Sequence, residues 1–355
     1  MNVGVPKENR PFEFRVGLPP AGVDLFVKAG HTLYIESGAG QGAGFIDEDY
    51  ALAGGHIIYT PEELYGRTDM ILRFTQPLLN DIELLKEGQA VLGFLHLAAL
   101  RPALLAELQK KALTAISYEL VEETAGYRPI LAPLSELGGR MTLQVAGALL
   151  QNNYGGQGIL LGGVAGVPPA EVVILGAGVA GRTAAAAFAS VGAHVTLLDV
   201  NMRSLQRAQE AIPAPISTMR STGQNIASSC AYADVLIGAV MIPGEPTPVL
   251  LTRDMMQSMK AGAVFIDLSI DQGGCSETSR PTTHQDPTYL QEGVIHYCVP
   301  TMTGVLGRTA TYALFNGAFP YLHAIAQYSL EDALKANKAL ARGLTIHHGE
   351  LQPRS

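Results

Sequence analysis

The sequence predicts an α/β protein of two doubly wound domains, each a parallel sheet with helices on both faces. Three observations carry this. The chain has 355 residues, enough for two domains at roughly 150 residues each. Short apolar runs alternate with longer amphipathic ones from the amino terminus onward, the pattern of parallel strands joined by crossover helices. The same alternation restarts at Glu171, after a glycine-rich stretch.

In the first series the expected strands cover 3–6, 32–35, 56–59, 70–74, 90–95 and 113–117. Helices are expected over 20–29, 47–53, 61–65 and 101–111. Pro61-Glu62-Glu63 opens one of them with a pre-set proline φ and with carboxylates that the helix dipole favours. Ala132-Pro133-Leu134-Ser135-Glu136 ends the series, and a domain-crossing helix is expected from about Ser135 to Gln151, followed by a loop through Gly155, Gly156, Gly158, Gly162 and Gly163. The second series reads as strand 172–175, helix 180–191, strand 194–198, then strands near 235–239 and 263–267. Beyond Gly304 the pattern is helical through Gln327, and a last helix over 329–341 has Ser329 as its cap with Asp332 three residues on. The second sheet is complete by then, so these helices are expected to return to the first domain. The expected domains are therefore 1–130 with 305–355, and 131–304.

Composition narrows the function. Lys and Arg number 24 against 32 Asp and Glu, a formal charge of −8, and no basic run exists to neutralise a phosphate backbone, so nucleic acid is not an expected partner. Apolar residues make up 47% and charged residues 16%, a soluble globular composition whose apolar excess points to subunit contacts and a homo-oligomer. No apolar run approaches the roughly 18 residues of a bilayer crossing, and Met1 to Lys7 reads as a strand rather than a targeting segment. No membrane association and a cytoplasmic location are expected. Cys230, Cys275 and Cys298 form no Cys-x-x-Cys pair and have no histidine at metal-ligand spacing, which suggests reduced thiols and no metal centre.

Gly176-Ala177-Gly178-Val179-Ala180-Gly181 follows an apolar strand and opens an alanine-rich helix, the context in which this spacing has a mechanism. Gly176 allows the tight turn, Gly178 lets the backbone approach a pyrophosphate, and Gly181 lets helix and strand pack closely, while the helix amino terminus attracts the anion. This marks the second domain as Rossmann-like. Asp199 ends the next strand, where a carboxylate accepts hydrogen bonds from the adenosine ribose and repels a 2′-phosphate. NAD rather than NADP is the expected cofactor; Arg203 reads as a solvated helix residue.

Several stretches resemble the alanine dehydrogenase family, which is related to the first domain of nicotinamide nucleotide transhydrogenases. They include Gly4-Val5-Pro6-Lys7-Glu8, Glu13-Phe14-Arg15-Val16, Pro20-Ala21-Gly22-Val23, Gly38-Ala39-Gly40, Phe94-Leu95-His96-Leu97-Ala98-Ala99, the glycine loop and Ile270-Asp271-Gln272-Gly273-Gly274-Cys275. Pro281-Thr282-Thr283-His284, His296-Tyr297-Cys298-Val299 and Thr311-Tyr312-Ala313-Leu314 add to the likeness. It covers nearly the whole chain. It implies a discontinuous substrate domain, a Rossmann-like NAD domain, an active cleft between them, and a hexamer, with a dimer as the other assembly.

The resemblance also implies roles. Arg15 holds the substrate carboxylate, His96 is the acid–base residue, and Asp271 lies beside nicotinamide and substrate. Ser135, Val179, Ala180, Ala239, Val240, Leu268 and Met302 join Gly176, Gly178, Gly181, Asp199 and Asp271 around NAD. Read by residue type alone, His96 is a core histidine, Asp271 a turn aspartate at the end of an apolar strand, and Arg15 an exposed strand charge.

Two departures fall in the substrate region. The family's Lys-Val-Lys-Glu-Pro is Arg73-Phe74-Thr75-Gln76-Pro77 here, so its substrate-binding lysine is Thr75, and its Asn-Met-Pro is Thr301-Met302-Thr303. Arg73 and Thr75 are expected on one face of a strand, about 6.6 Å apart, which puts Arg73 within reach of the vacated space. The expected function is hydride transfer between NAD and an amino acid, its oxo acid with ammonia, or an imine, with alanine itself disfavoured by Thr75. The competing expectation is an NAD(H)-binding sensor or structural relative without turnover; Thr75 and Thr301 favour it, while His96 and Asp271 oppose it.

Overall fold

The structure is a computed structural model that describes residues 1–97, 102–242 and 245–353. Ala98, Ala99 and Arg101, which belong to a family-like stretch and to an expected helix, lie outside the described residues. The chain divides into two compact units, Met1–Leu134 with Thr303–Ser355, and Ser135–Met302.

The first unit opens with β1 (Asn2–Val5), α1 (Pro20–Lys28), β2 (Thr32–Glu36), α2 (Asp47–Leu52), β3 (His56–Ile58), α3 (Pro61–Arg67), β4 (Met70–Thr75), α4 (Leu79–Leu84), β5 (Ala90–Phe94), α5 (Pro102–Lys110) and β6 (Thr114–Ser117). α6 (Leu131–Leu149) leads to β7 (Glu171–Leu175), α7 (Val179–Ser190), β8 (His194–Asp199), α8 (Met202–Ala211), β9 (Ser217–Arg220), α9 (Gly223–Tyr232), β10 (Val235–Gly238), α10 (Arg253–Gln257), β11 (Val264–Asp267), β12 (Thr288–Gln291) and β13 (Val294–Tyr297). The chain ends with α11 (Gly307–Gln327), α12 (Leu330–Ala336), α13 (Lys338–Arg342), β14 (Leu344–His347) and β15 (Glu350–Leu351).

The first sheet is eight-stranded, in the order β15-β14-β6-β5-β4-β1-β2-β3, and the second is seven-stranded, in the order β12-β13-β11-β10-β7-β8-β9. β1 to β6 pair in parallel, whereas β14 joins β6 antiparallel and carries β15 on its far side. In the second sheet only β12 runs antiparallel, against β13. Read from β3 and from β9, both sheets have the doubly wound order in which the winding reverses between the first and fourth strands. Ligands bind outside the carboxyl ends of the strands at that reversal. The α/β class and the paired doubly wound sheets are as expected.

Strands β4, β5, β10 and β11 are buried throughout, which is why their sequences are mostly apolar rather than alternating; Arg73 and Thr75 in β4 and Asp267 at the end of β11 are the buried polar exceptions. Each sheet has its own core. Leu64, Ile71, Val91, Leu113 and Ile346 meet in the first, and Val173, Leu198, Leu236, Phe265 and Val294 in the second.

The structure corrects several elements. α6 begins at Leu131 rather than Ser135, because Pro133 falls in the first turn, where no intrahelical N–H is needed. The closing helix is two: Asn337 ends α12, and its side chain accepts from the N–H groups of Ala339 and Leu340 to start α13. Ser329 does cap α12, accepting from Asp332 N. α8 gives bounds to the helix expected to carry Arg203, and only Leu205 and Ala208 are buried on it. The β14–β15 hairpin escaped notice because its strands are short and mostly exposed or half-buried.

Among the described residues no helix is long and apolar enough to cross a membrane. All three thiols are buried and unpaired. Burial pushes Cys230 and Cys298 up to about 11 and Cys275 well above its usual value, so none is a nucleophile at neutral pH.

Candidate functional site

In the first unit the residues of interest gather at the carboxyl ends of β1, β4, β5 and β6. Glu8, just past β1, is almost wholly buried. One carboxylate oxygen accepts the backbone N–H groups of Phe74 and Thr75 at 2.7 and 3.3 Å. The other accepts the Thr75 hydroxyl at 2.5 Å and Arg73 Nη2 at 3.2 Å. Arg73 Nη1 meets Tyr65 Oη and Asp81 Oδ2, each at 2.8 Å. The register of β4 against β5 shifts between Leu72 and Thr75, and Arg73 and Thr75, two residues apart on β4, both reach Glu8.

Arg73 is 1% exposed. Burial opposes its charge, but Glu8, Tyr65 and Asp81 outweigh that and hold the guanidinium above its ordinary pKa. Its terminal nitrogens are thus committed inside the unit.

Arg15 lies in the loop between β1 and α1. Its Nε and Nη2 pair with Glu13 at 2.6 and 2.5 Å, and Nη1 donates to Thr303 Oγ1 at 2.8 Å. Arg15 is buried, 5% exposed, and not the exposed strand charge its residue type suggests; each terminal nitrogen carries one further N–H. The guanidinium sits 3.9 Å over the Phe74 ring. Phe74 packs on Phe94 with ring centroids 5.7 Å apart, and Phe94 stacks on His96 at 6.3 Å and 19°. Arg15 and His96 are therefore joined by a short aromatic path.

His96 follows β5 with φ +44, a left-handed conformation uncommon for a side-chain-bearing residue and often found at functional sites. Glu119, just past β6, accepts the His96 backbone N–H at 2.8 Å, and the same oxygen is 3.9 Å from Nδ1. Its other oxygen is buried and has no hydrogen-bond partner among the described residues.

The second unit gathers its residues the same way. Gly176 has φ +102, and a Cβ there would stand 2.4 Å from Ala239 O; one on Gly181 would stand 1.8 Å from Gly176 O. A Cβ on Gly178 would meet nothing within 4 Å. The turn is thus tight beneath and open above, at the amino end of α7 where Val179 and Ala180 begin the helix. This fits a dinucleotide pyrophosphate.

Asp199 ends β8 and accepts Ala177 N at 2.6 Å with one oxygen and Asn201 N at 2.7 Å with the other. Each oxygen keeps a lone pair for a ribose hydroxyl. Ala239 and Val240 leave β10, and Leu268 leaves β11; the Ser269 hydroxyl ties these exits together, accepting from Val240 N and donating to Val240 O. Ser135 stands one turn before Gly139 on α6, and a Cβ on Gly139 would lie 2.5 Å from Ala180 O. Arg203 is exposed on α8.

Asp271 lies on a single 3-10 turn after β11 and is exposed, accepting Thr301 N at 2.9 Å. Thr301 has φ +51, and Met302 beside it is buried.

Reasoning from sequence did not single out Glu13, Glu119, Phe74, Phe94 and Thr303 as functional. Glu8 and Glu13 stood within recognisable stretches. Glu119 had no local signal, because its partner is brought to it by the β5–β6 pairing.

Two doubly wound units, one with this glycine turn and an acid at the end of the next strand, define a dinucleotide-binding oxidoreductase of the Rossmann type. The chain belongs to the alanine dehydrogenase/PNT family: the family's amino-terminal domain matches residues 4–138 and its carboxyl-terminal domain residues 142–354. It is 45% identical to an alanine dehydrogenase of Methanococcus maripaludis, covering 99% of this chain and 94% of that one. It is 41% identical to one of Mycolicibacterium smegmatis, with 99% and 94% covered. Its fold matches a solved L-alanine dehydrogenase with a TM-score of 0.91 at 42% identity, over 99% of this chain and 96% of that one. A transhydrogenase from Sinorhizobium meliloti shares the fold, with a TM-score of 0.80 at 24% identity over 99% and 98%.

Proposed function

We propose that this chain catalyses NAD-dependent hydride transfer at the Cα of an amino acid, in either direction between the amino acid and its imine or oxo acid with ammonia. The observation that carries this reading is His96, held in a left-handed conformation by Glu119 and linked through Phe94 and Phe74 to Arg15. NAD supplies the hydride acceptor, held by the Gly176–Gly181 turn, Asp199, Ala239, Val240, Leu268, Met302 and Ser135. Arg15 receives the substrate carboxylate on its remaining N–H groups. Neutral His96 takes the proton released as Cα is oxidised and then assists the water that attacks the imine. Asp271 stands at the second unit's strand ends as the charged group beside the reacting carbon. A homo-oligomer, hexamer or dimer, belongs to the same reading; exposed Tyr154, Leu160, Val164 and Val167 give it an apolar patch.

Thr75 shapes the substrate. Its hydroxyl is turned onto Glu8, so it neither adds a charge nor polarises a carbonyl as the family's lysine does. The favoured substrate is an imine, which needs no such polarisation, or an amino acid with a different side chain that supplies its own group to the site. A screen of amino acids with NAD, and of oxo acids with ammonium or amines and NADH, read at the NADH absorbance, tests this. No turnover on any of them would leave the NAD(H)-binding sensor.

Two outcomes are expected beyond the screen. Calorimetric titration should find NADH bound far more tightly than NADPH, because the Asp199 carboxylate repels a 2′-phosphate; equal affinities would remove Asp199 from the ribose site. Wild-type protein should aminate pyruvate poorly, and Thr75→Lys, alone or with Thr301→Asn, should raise that rate without changing NADH affinity. Brisk alanine oxidation by the wild type would show that the lysine's part is dispensable here.

A further inference from the structure

We propose that Glu331, His347 and His348 form a binding site for a divalent cation of the zinc class at the edge of the first sheet. The site is built by a turn. β14 and β15 are joined by His348-Gly349, with φ of +50 and +84, the left-handed pair of a two-residue type I′ hairpin, and His347 opposite Glu350 closes it. Asparagine or aspartate usually precedes the glycine of such turns; histidine there carries a conformational cost of about 1–2 kcal/mol.

That conformation gathers the two imidazoles. Neighbouring residues of an extended strand point to opposite faces, yet the His347 and His348 ring centroids are 4.3 Å apart. Their Nε2 atoms stand 3.2 and 3.9 Å from the same oxygen of Glu331, in the first turn of α12. All three ligand atoms lie within 4.8 Å of one another. A tetrahedral ion with bonds of about 2.0–2.1 Å separates its ligand atoms by roughly 3.3 Å. The His347–Glu331 edge already has that length, and small side-chain rotations complete the triangle.

The donor set names the class of ion. Two imidazoles and a single carboxylate suit Zn²⁺, Ni²⁺ or Cu²⁺, whereas Mg²⁺ and Ca²⁺ require a shell of oxygens. His348 is the most exposed of the three, with 66% of its side chain open, so water can complete the coordination. When no cation is bound, a hydrogen bond between His347 Nε2 and Glu331 at 3.2 Å joins the same groups, and a bound cation would take its place. The bound ion would clip α12 to the terminal hairpin and stabilise the first unit by linkage. The sequence showed none of this, because adjacent histidines and a distant glutamate follow no recognised ligand spacing.

Tag-free protein, freed of metal with chelator and dialysed, should be titrated with zinc chloride by calorimetry and assayed for bound metal after gel filtration. The expected result is about one equivalent per chain, a raised Tm, and no binding heat with magnesium. Glu331→Gln and His348→Asn should each weaken zinc binding at least about tenfold, since even groups behind a ligand cost that much, and should abolish the zinc-dependent rise in Tm. Asparagine suits the turn, so the His348 variant should fold as well as the wild type by circular dichroism. Absence of saturable zinc binding, or unchanged affinity in either variant, would overturn the proposal.

Discussion

Replacing His96 should lower turnover by about 10²–10⁴-fold, the range expected of a general acid–base group, while NADH affinity and oligomer size stay unchanged. The choice of variant matters. At φ +44 an alanine would add backbone strain to the loss of the imidazole, whereas asparagine is at home in the left-handed region. His96→Asn is therefore the cleaner test, and it should fall as far as His96→Ala. Asp271→Asn belongs beside it: the amide oxygen can still accept Thr301 N, so the loop keeps its form while the charge is lost. Its turnover should fall by a similar factor. Steady-state rates on whichever substrate the screen identifies, with calorimetric NADH titration, make the comparison. A variant that kept more than about a tenth of the wild-type rate would remove that residue from the chemistry.

Arg73→Met should destabilise the first unit by about 3–5 kcal/mol, because it strands Glu8 and Asp81 as buried charges without their partner. Removing an exposed ion pair gives the contrast. Lys28 pairs with Asp24 at 2.7 Å on α1, but its side chain is 75% exposed, so Lys28→Met should cost at most about 1 kcal/mol. Urea unfolding of both variants tests the difference. The two sheets have separate cores, so if they unfold in distinct transitions the Arg73 effect should be confined to the first unit's. A loss below about 1 kcal/mol would mean that Glu8 and Asp81 find water or other partners. This prediction also bears on the substrate: an arginine that the fold needs for Glu8 and Asp81 is not free to replace the family's lysine.

The elements that were legible in the sequence are those whose information is local. Strands buried on both faces are apolar along most of their length, so β5, β10 and the apolar parts of β4 and β11 stood out as runs. The glycine turn stood out because a tight reversal with φ +102 at Gly176, and a helix pressed against Gly176 O at Gly181, admit no side chain. Helix starts with a proline and acids, or with Ser329 and Asp332, were readable for the same reason. The β14–β15 hairpin, with short strands that are mostly exposed or half-buried, was not, since its stability comes from what it packs against.

The substrate half of the candidate site was legible in its residue types but not in its geometry. His96, Arg15, Thr75 and Asp271 could be named from flanking motifs. Only the folded chain decided that Arg73 turns inward to Glu8, Asp81 and Tyr65, that the Thr75 hydroxyl is tied to Glu8, and that Glu119 stands behind His96. Tyr65 and Asp81 lie on the helices either side of β4, whereas the contacts of Glu8 with Arg73 and Thr75 and of Glu119 with His96 join distant segments that the β1–β4–β5–β6 pairings bring together at one end of the sheet. A hydrogen bond between distant residues leaves no periodicity in either segment, so no local pattern encodes it. Arg73 is sealed inside by Glu8, Tyr65 and Asp81, and that is a property of the assembled unit.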